Sequence, residues 1–164
     1  MPATYAPSGW TVDAFLCDSA VAVEGKVYIQ GGGWNLLHSP VFPFAQDRIG
    51  VAAIVSVPYT ETNKNHVFEL RLEDQDGALK PLGHLPGPDG QPQVQMKIMG
   101  NFMLGRPPIL QAGDAQNVPI ALNLDNLMFE APGSYSFVLS IDEKEIERLT
   151  FRVVNPLGFM VAGA

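Results

Sequence analysis

Residues that could do chemistry are few and scattered in this 164-residue sequence. One cysteine, Cys17, lies in the apolar segment "FLCDS", and three histidines stand away from other metal-ligand residues: His38, His66 and His84. A lone cysteine in an apolar strand is typical of a small core residue. We therefore predict no catalytic residue, no metal ligand and no cofactor, and expect a protein that is not an enzyme. The remaining enzyme hypothesis needs a histidine folded onto Cys17, which would activate its thiol.

Three glycines in the stretch "YIQGGGWNLLHSP" could form a cradle for a phosphate. Such a cradle needs a helix N-terminus behind it, because free N–H groups and the helix dipole hold the anion. Pro40 and Pro43 follow instead, and no helical pattern is present. We predict a bend or bulge of a β-hairpin at residues 31–33, where one backbone segment passes close to another and Trp34 packs beside it.

The acidic stretch "EDQDG" at residues 73–77 resembles part of a calcium-binding loop. Calcium needs further oxygen ligands at fixed spacing, and the following "ALKPL" supplies none. We predict a hairpin turn with Gly77 at positive φ. Whether Asp74 and Asp76 join a calcium site with distant carboxylates is left open by the sequence.

Period-two alternation of apolar and polar residues is clear in "VFELRL", "SYSFVLSI" and "LTFRVV". Turn signals such as "VEGKV", "DQDG", "APGS" and "DEKE" separate the apolar runs. These features predict an all-β fold, an antiparallel, immunoglobulin-like or related Greek-key β-sandwich of about 8–10 strands. One domain is expected over residues 1–164, with an apolar C-terminal tail at 155–164. The predicted strands lie near residues 12–17, 20–30, 33–38, 48–57, 65–73, 78–82, 93–104, 117–124, 134–142 and 146–154.

The segment "EAPGSYSF" places Tyr135 just after a turn and two residues before Phe137. Immunoglobulin-like sandwiches use a tyrosine at this place, whose hydroxyl bonds back to nearby backbone. The segment therefore predicts a tyrosine corner.

The charge balance bears on the choice of partner. Ten basic against seventeen acidic residues give a net charge of −7, with no basic cluster, which argues against nucleic acid. No apolar run is long enough to span a bilayer, and the first ten residues lack the features of a signal peptide. We expect a cytoplasmic protein.

Four segments resemble a family of small bacterial proteins, frequent among actinobacteria, that is known only as a domain of unknown function. They are "CDSAVAVEGKVYIQGGGWNLL", "VPYTETNKNHVFELRLEDQDG", "LGRPP" and "NLMFEAPGSYSFVLSIDEKEIERLTFRVV", and they cover about residues 13–154. The resemblance implies an immunoglobulin-like or related β-sandwich. It implies no activity, cofactor or catalytic residue.

The leading functional hypothesis is protein–protein contact, as a homo-oligomer or as a subunit beside another protein. Charged residues make up only 16% of the chain, a share below that of ordinary soluble domains. The strand at 48–57 is apolar on both faces, as in a central strand or one covered by a partner. Strand parity exposes two methionines in "QMKIMGNFML", and the tail is apolar. The predicted interface residues are Met99, Met103, Phe159 and Met160.

The alternative hypothesis is a small-molecule or carbohydrate-binding module. Trp34 and the 58–63 loop, "PYTETN", combine aromatic rings with polar groups, as binding sites do. Arg106 either anchors a rigid loop or meets a partner directly. The other interpretation of Trp34 is a core residue, with Thr60, Thr62 and Asn63 capping a turn. The candidate binding residues are Trp34, Tyr59, Thr60, Asn63 and Arg106.

Overall fold

The computed structural model describes residues 9–159 and shows an all-β chain. Two short 3-10 helices, Tyr59–Glu61 and Pro156–Phe159, interrupt or follow the strands. Neither helix approaches the length needed to cross a bilayer. The strands of this described part are β1 (Thr11–Cys17), β2 (Ser19–Val23), β3 (Lys26–Gln30), β4 (Leu36–His38), β5 (Phe44–Val57), β6 (Asn65–Asp74), β7 (Leu79–Lys80), β8 (Gly83–Pro86), β9 (Pro92–Gln95), β10 (Lys97–Met103), β11 (Gln116–Phe129), β12 (Gly133–Ile141) and β13 (Lys144–Val154).

Nine of these strands form the two sheets of a sandwich. One sheet has the order β1-β5-β11, and the other has the order β10-β6-β12-β13-β4 with β7 paired to β6. Immunoglobulin-type sandwiches place strands A, B and E in one sheet and C, F and G in the other. Strands β1, β5 and β11 match the first set, and β6, β12 and β13 match the second. The predicted sandwich is therefore confirmed, with two added hairpins, β2-β3 and β8-β9.

The core lies between the two sheets and is rich in aromatic rings. The alternation in β6, β12 and β13 placed the correct faces inward, since Leu70, Leu72, Phe137 and Phe151 are all buried. The rings of Phe137 and Phe151 stack with centroids 5.6 Å apart. Aromatic pairs of this kind stabilise a core beyond the area that they bury.

The predicted tyrosine corner is present at the start of β12. The hydroxyl of Tyr135 donates a 2.7 Å hydrogen bond to the carbonyl oxygen of Ala131, four residues upstream. The ring of Tyr135 lies edge-on against Phe129, at a centroid distance of 4.9 Å. This contact fixes how the chain leaves β11 and enters β12, because both sides of the turn are held by one side chain.

The two-faced apolar strand β5 is covered by the chain itself. Its inner face meets the larger sheet, and its outer face lies beneath the β2-β3 hairpin. The contact uses small residues, namely Cys17, Ala20 and Ala52, with Ala121 beside them. Small side chains let the hairpin approach the sheet closely. β5 is therefore a central strand, which is one of the two predicted arrangements. Both of its faces are covered by other parts of the same chain.

The glycine run forms the predicted bend. The Gly33 N–H donates to the carbonyl oxygen of Leu16 at 2.9 Å, so the chain turns back onto β1 as it leaves β3. Gly31 and Gly33 have φ values of 64° and 95°, a region that side chains disfavour. No helix follows, which removes the geometry of a phosphate cradle. The strand predicted at 33–38 is shorter, Leu36–His38, because the bend occupies its first residues.

The side chain of Asn123, on β11, fastens the hairpin to the sheet. Its Oδ1 accepts a 3.0 Å hydrogen bond from the Ala20 N–H, and its Nδ2 donates to the Ala20 carbonyl oxygen at 2.8 Å. The amide thus bonds both backbone groups of one hairpin residue, as a neighbouring strand would.

We expect Asn123→Ala to lower the free energy of unfolding by about 1–3 kcal/mol, since two hydrogen bonds are lost. Hydrogen exchange should quicken at the Ala20 amide. The matched control is Asn117→Ala, an exposed asparagine on the same strand. Unchanged exchange at Ala20 in the Asn123 variant would show that the hairpin is held by packing alone.

Candidate functional site

A cluster around Arg106 brings together two of the predicted binding residues. The Arg106 Nε donates to the Thr62 hydroxyl at 2.5 Å, and its Nη2 donates to the Tyr59 carbonyl oxygen at 3.2 Å. Its guanidinium lies 4.3 Å from the centre of the Tyr59 ring, within the range of a cation–π contact. Arg106 thus holds the turn after β5, and two of its donor groups are already used inside the chain.

The other two loop residues flank this cluster. Thr60 and Asn63 are both exposed. Asn63 has a φ of 59°, a left-handed conformation that asparagine tolerates well. Its N–H donates to the Leu104 carbonyl oxygen at 2.7 Å. Backbone bonding therefore ties the 58–63 loop to the segment that carries Arg106.

His66, which stands alone in the sequence, is buried beside this loop. It is 2% exposed, and its ring lies edge-on to Trp10 at a centroid distance of 4.9 Å. Its Nδ1 lies 2.7 Å from Asp142 Oδ2, and its Nε2 lies 2.7 Å from the Glu61 carbonyl oxygen. A carboxylate and a carbonyl oxygen only accept hydrogen bonds, so both nitrogens need a proton. The geometry therefore calls for a charged imidazolium ring.

The electrostatics of this pair agree with the geometry. Burial by itself lowers the pKa of His66, but hydrogen bonds to Asp142 and to the Glu61 carbonyl, with the nearby negative charges, outweigh it and raise the pKa. Burial also disfavours the charged form of Asp142 and by itself raises its pKa. Hydrogen bonds from His66 and from the Val67 N–H outweigh burial, so the pKa of Asp142 is lowered overall. The pair joins the loop after β5, strand β6 and the β12-β13 turn.

The β12-β13 turn is itself strained. Asp142 and Glu143 have φ values of 49° and 67°, as in a two-residue hairpin turn that usually takes Asn and Gly. The Asp142 carboxylate bonds to both His66 and the Val67 N–H. These bonds compensate for a backbone conformation that neither residue favours.

Trp34 lies away from this loop. Its ring packs edge-on against Phe151, with centroids 5.9 Å apart, at the end of the core near Tyr135. The loop cluster lies at the other end of β12, next to Asp142. The rise of a strand over that length separates the two ends by about 20 Å. The fold therefore does not bring Trp34 and the 58–63 loop into one surface. The Trp34 Nε1 is buried without a hydrogen-bond partner among the described residues.

Cys17 is part of the core, and Asp74 of the acidic loop is hydrogen-bonded within its own turn. Cys17 is fully buried under the hairpin, and burial, followed by the charge of Asp18, raises the pKa of its thiol. Asp74 Oδ1 accepts bonds from the N–H groups of Asp76 and Ala78, while its Oδ2 lies 2.9 Å from Lys80 Nζ. Gly77 in this turn has a φ of 80°, as predicted. Over residues 9–159 no three His, Cys, Asp or Glu side chains converge as metal ligands would.

The predicted interface methionines lie on β10, one of the two end strands of the larger sheet. Met99 and Met103 of β10 are 56% and 64% exposed, whereas Ile98 and Phe102 on the other face are partly buried. Phe159 is the last residue of the second 3-10 helix, and its side chain lies outside the described part of the structure. Met160 lies outside the described residues.

Ion pairs cover the central part of the outer face of the larger sheet. Glu73 accepts hydrogen bonds from Arg71 Nε at 2.7 Å and from Arg148 Nη1 at 2.9 Å, and Arg148 Nε also bonds to Glu145 at 2.9 Å. The bond from Arg71 is the largest cause of the lowered pKa of Glu73. The outward-facing Val138 is fully buried in this central part of the face. Charged side chains therefore cover this central part of the outer face.

Two features here were not predicted from the sequence. His66 and Asp142 are 76 positions apart, and no local pattern connects them. The second feature is a cavity of about 230 Å³ between the β6-β7 turn and the β11-β12 loop, lined in part by Met128, Tyr135 and Glu130. The "APGS" turn forms one wall of the cavity, but the depth of the cavity depends on the packing of both loops.

The His66–Asp142 pair should make stability depend on pH. The folded-state pKa of His66 is raised above the unfolded value. The stabilisation is therefore complete below the unfolded pKa of about 6.5 and is lost as pH rises through the folded-state pKa. We expect His66→Gln to cost about 1.5–3 kcal/mol of unfolding free energy in mild acid and less in alkali. Urea unfolding from acid to alkali measures this difference.

The matched control is His84→Gln, which alters an exposed histidine on β8. Its cost to the free energy of unfolding should be small, because the side chain lies at the surface. A pH-independent cost of His66→Gln would contradict the raised pKa, because it would mean that folding leaves the pKa of the ring unchanged.

Comparisons with solved structures found weak similarities at low identity. A β-glucosidase from Listeria innocua in complex with laminaribiose is 12% identical, with a TM-score of 0.41, over 93% of this chain and 17% of that one. A DNA-bound alkylpurine DNA glycosylase from Pseudomonas fluorescens is 11% identical, with a TM-score of 0.38, over 73% and 27%. A family 123 glycoside hydrolase from Clostridium perfringens is 13% identical, with a TM-score of 0.37, over 88% and 28%. The chain spans less than a third of each of these proteins.

Comparison with curated protein sequences found no match. The sequence profile of a family of unknown function, DUF6941, matches residues 12–154. This range runs from the first strand of the sandwich to the end of β13. Because the match spans most of the chain, the protein belongs to the family of unknown function DUF6941.

Proposed function

We propose that this protein is a non-catalytic β-sandwich that works through protein–protein contact, as a self-assembling protein or as an accessory subunit. The observation that carries the proposal is the exposure of Met99 and Met103 on β10, an end strand of the larger sheet. Exposed methionines are adaptable contact residues, and apolar groups beside a free strand edge favour association.

The distribution of charge supports the same proposal. The whole chain carries a net charge of −7, but β10 contains a single charged residue, Lys97, whose Nζ lies 3.1 Å from Glu69. A second apolar surface lies on the outer face of the β2-β3 hairpin, where Val21 and Tyr28 are paired and both exposed. Two such surfaces on one small chain exceed what scattered exposed residues usually provide.

The non-catalytic part of the proposal rests on the state of the reactive groups. The Cys17 thiol is buried with a raised pKa, which disfavours the nucleophilic thiolate. Both ring nitrogens of His66 are engaged by Asp142 and Glu61, so neither is free to act as a base. A lone, buried cysteine is also compatible with the reducing cytoplasm, which we propose as the location.

The double variant Met99→Ser/Met103→Ser should weaken association at least tenfold, because each methionine loses roughly 1.5 kcal/mol or more of apolar burial. Light scattering at micromolar concentration measures the mass. The matched control is Ile109→Ser, since Ile109 is 87% exposed but belongs to the loop between β10 and β11 rather than to the strand. A wild-type protein that is strictly monomeric and recovers no partner in a pulldown would contradict the proposal.

A second candidate is the binding of a small molecule or a carbohydrate. The surface predicted from the sequence combined Trp34 with Tyr59, but these side chains lie at opposite ends of β12. The observation that favours this candidate is the cavity beside Tyr135. Its lining is mostly apolar with a few polar groups, as in ligand sites.

Thermal unfolding with a panel of monosaccharides and disaccharides tests this second candidate. A ligand of the cavity should raise the melting temperature of the wild type. Met128→Trp, which fills the cavity from an exposed position, should abolish that rise. The Tyr59→Ala variant should keep it. A rise that Tyr59→Ala removes and Met128→Trp retains would place the site on the 58–63 loop instead.

A further inference from the structure

The backbone of Val67 reveals which way β10 presents its hydrogen-bonding groups. The Val67 N–H donates to Asp142 Oδ1 at 2.9 Å, and its carbonyl oxygen accepts from the Asp142 N–H at 2.8 Å. Both groups therefore point away from β10. Asn101 is directly opposite Val67 in the antiparallel register, so its own N–H and carbonyl point away from β6. These two groups face the open edge of the sheet.

The same orientation recurs at every second residue of β10, because strand geometry has a period of two. Four residues thus present their N–H and carbonyl groups at the edge, and none of these groups has a backbone partner within residues 9–159. They are Lys97, Met99, Asn101 and Met103. An edge of this kind is a template for another strand.

Strand β10 is self-complementary about its midpoint. It runs from Lys97 to Met103, and Gly100 is its central residue. In an antiparallel pair of two copies centred there, Met99 faces Asn101 of the other copy and Lys97 faces Met103. All four edge residues then meet edge residues, which allows about eight backbone hydrogen bonds between the copies.

The side chains fit the same arrangement. A side chain at position 100 would run into the ring of Phe68, so the symmetry axis passes through a position without one. On the inner face, Ile98 of one copy would lie opposite Phe102 of the other, and both are only partly buried in the single chain. Pairs of aromatic and aliphatic residues across strands stabilise sheets.

The charge on β10 also favours a second copy at this place. Two chains with a net charge of −7 repel each other, but β10 carries only Lys97. Natural edge strands use lysine to discourage pairing, and here its ammonium group lies against Glu69 of the neighbouring strand. The contact zone is therefore free of the repulsion that opposes association elsewhere on the surface.

We propose that the protein forms a two-fold symmetric homodimer in which β10 pairs antiparallel with β10 of a second copy, centred on Gly100. This interface rests on the proposed function, since it specifies the partner and register of that contact. It joins the larger sheets of the two copies into one continuous sheet. Self-complementary contacts of this type are the commonest route to a dimer.

Replacement of one edge residue tests the interface. Asn101→Pro removes an N–H that the single chain does not use, so the fold should persist while pairing is lost. Asn101→Ala is the matched control, because it keeps the N–H. In light scattering, the wild type and Asn101→Ala should show the mass of two 17.8 kDa chains, and Asn101→Pro the mass of one.

Cross-linking tests the register independently of how the proline variant folds. A mixture of Met99→Cys and Asn101→Cys chains should form an intermolecular disulfide, because directly opposed Cα atoms lie about 5.5 Å apart. Either variant alone should cross-link far less, since its cysteines are offset by two residues along the strand. Cys17 is buried and serves as the background in the wild type.

The outcomes separate the two proposals. A monomeric wild type without a recovered partner overturns both. A dimer that survives Asn101→Pro, or a mixture that cross-links no better than either variant alone, overturns the β10 interface but leaves self-association in place. A dimer lost in Asn101→Pro, retained in Asn101→Ala and cross-linked only in the mixture supports the interface.

Discussion

Strand β5 is apolar on both of its faces, and the rest of the fold is arranged to cover both. The larger sheet covers the inner face with Phe137, Phe151 and their neighbours. The outer face is covered by the β2-β3 hairpin, which is inserted directly after β1. Because apolar area left in water is costly, this cover determines where residues 19–30 must lie.

The cover over β5 also determines which surfaces of the two sheets stay exposed. The hairpin occupies the outside of the smaller sheet, and ion pairs around Glu73 close the outside of the larger one. The larger sheet ends in β10 on one side and in β4 on the other, and among the described strands β10 pairs only with β6. The surface proposed for association thus lies at an open strand edge rather than at a special motif.

At the loop end of the sandwich, the buried His66 ring is held by polar partners as well as by the rings of Trp10 and Phe102. His66 and Asp142 connect the turn after β5 to the β12-β13 turn, and Arg106 holds the same turn from the other side. Burying a charged ring is costly unless it is paired and hydrogen-bonded, as His66 is. These bonds tie the two turns together despite positive φ values at Asp142 and Glu143.

Much of the fold was predictable because its signals are local. Alternation in β6, β12 and β13 identified the inward faces, and Gly77 and Tyr135 marked turns whose geometry depends on a few neighbouring residues. The exposure of Met99 and Met103 followed from strand parity alone. The length of β4 was overestimated because the glycine bend extends beyond Gly33.

Part of the site could not be predicted because it depends on residues far apart in the chain. His66 becomes a charged, buried group only when Asp142 and the Glu61 carbonyl are folded against it. Trp34 is placed inward by Phe151, more than a hundred positions later, and so is separated from the 58–63 loop. The sequence by itself determined a β-sandwich and its turns, because period-two patterns and turn residues act over short distances. The tertiary structure alone decided which polar groups meet and which strand edge stays open, because those depend on how distant segments pack.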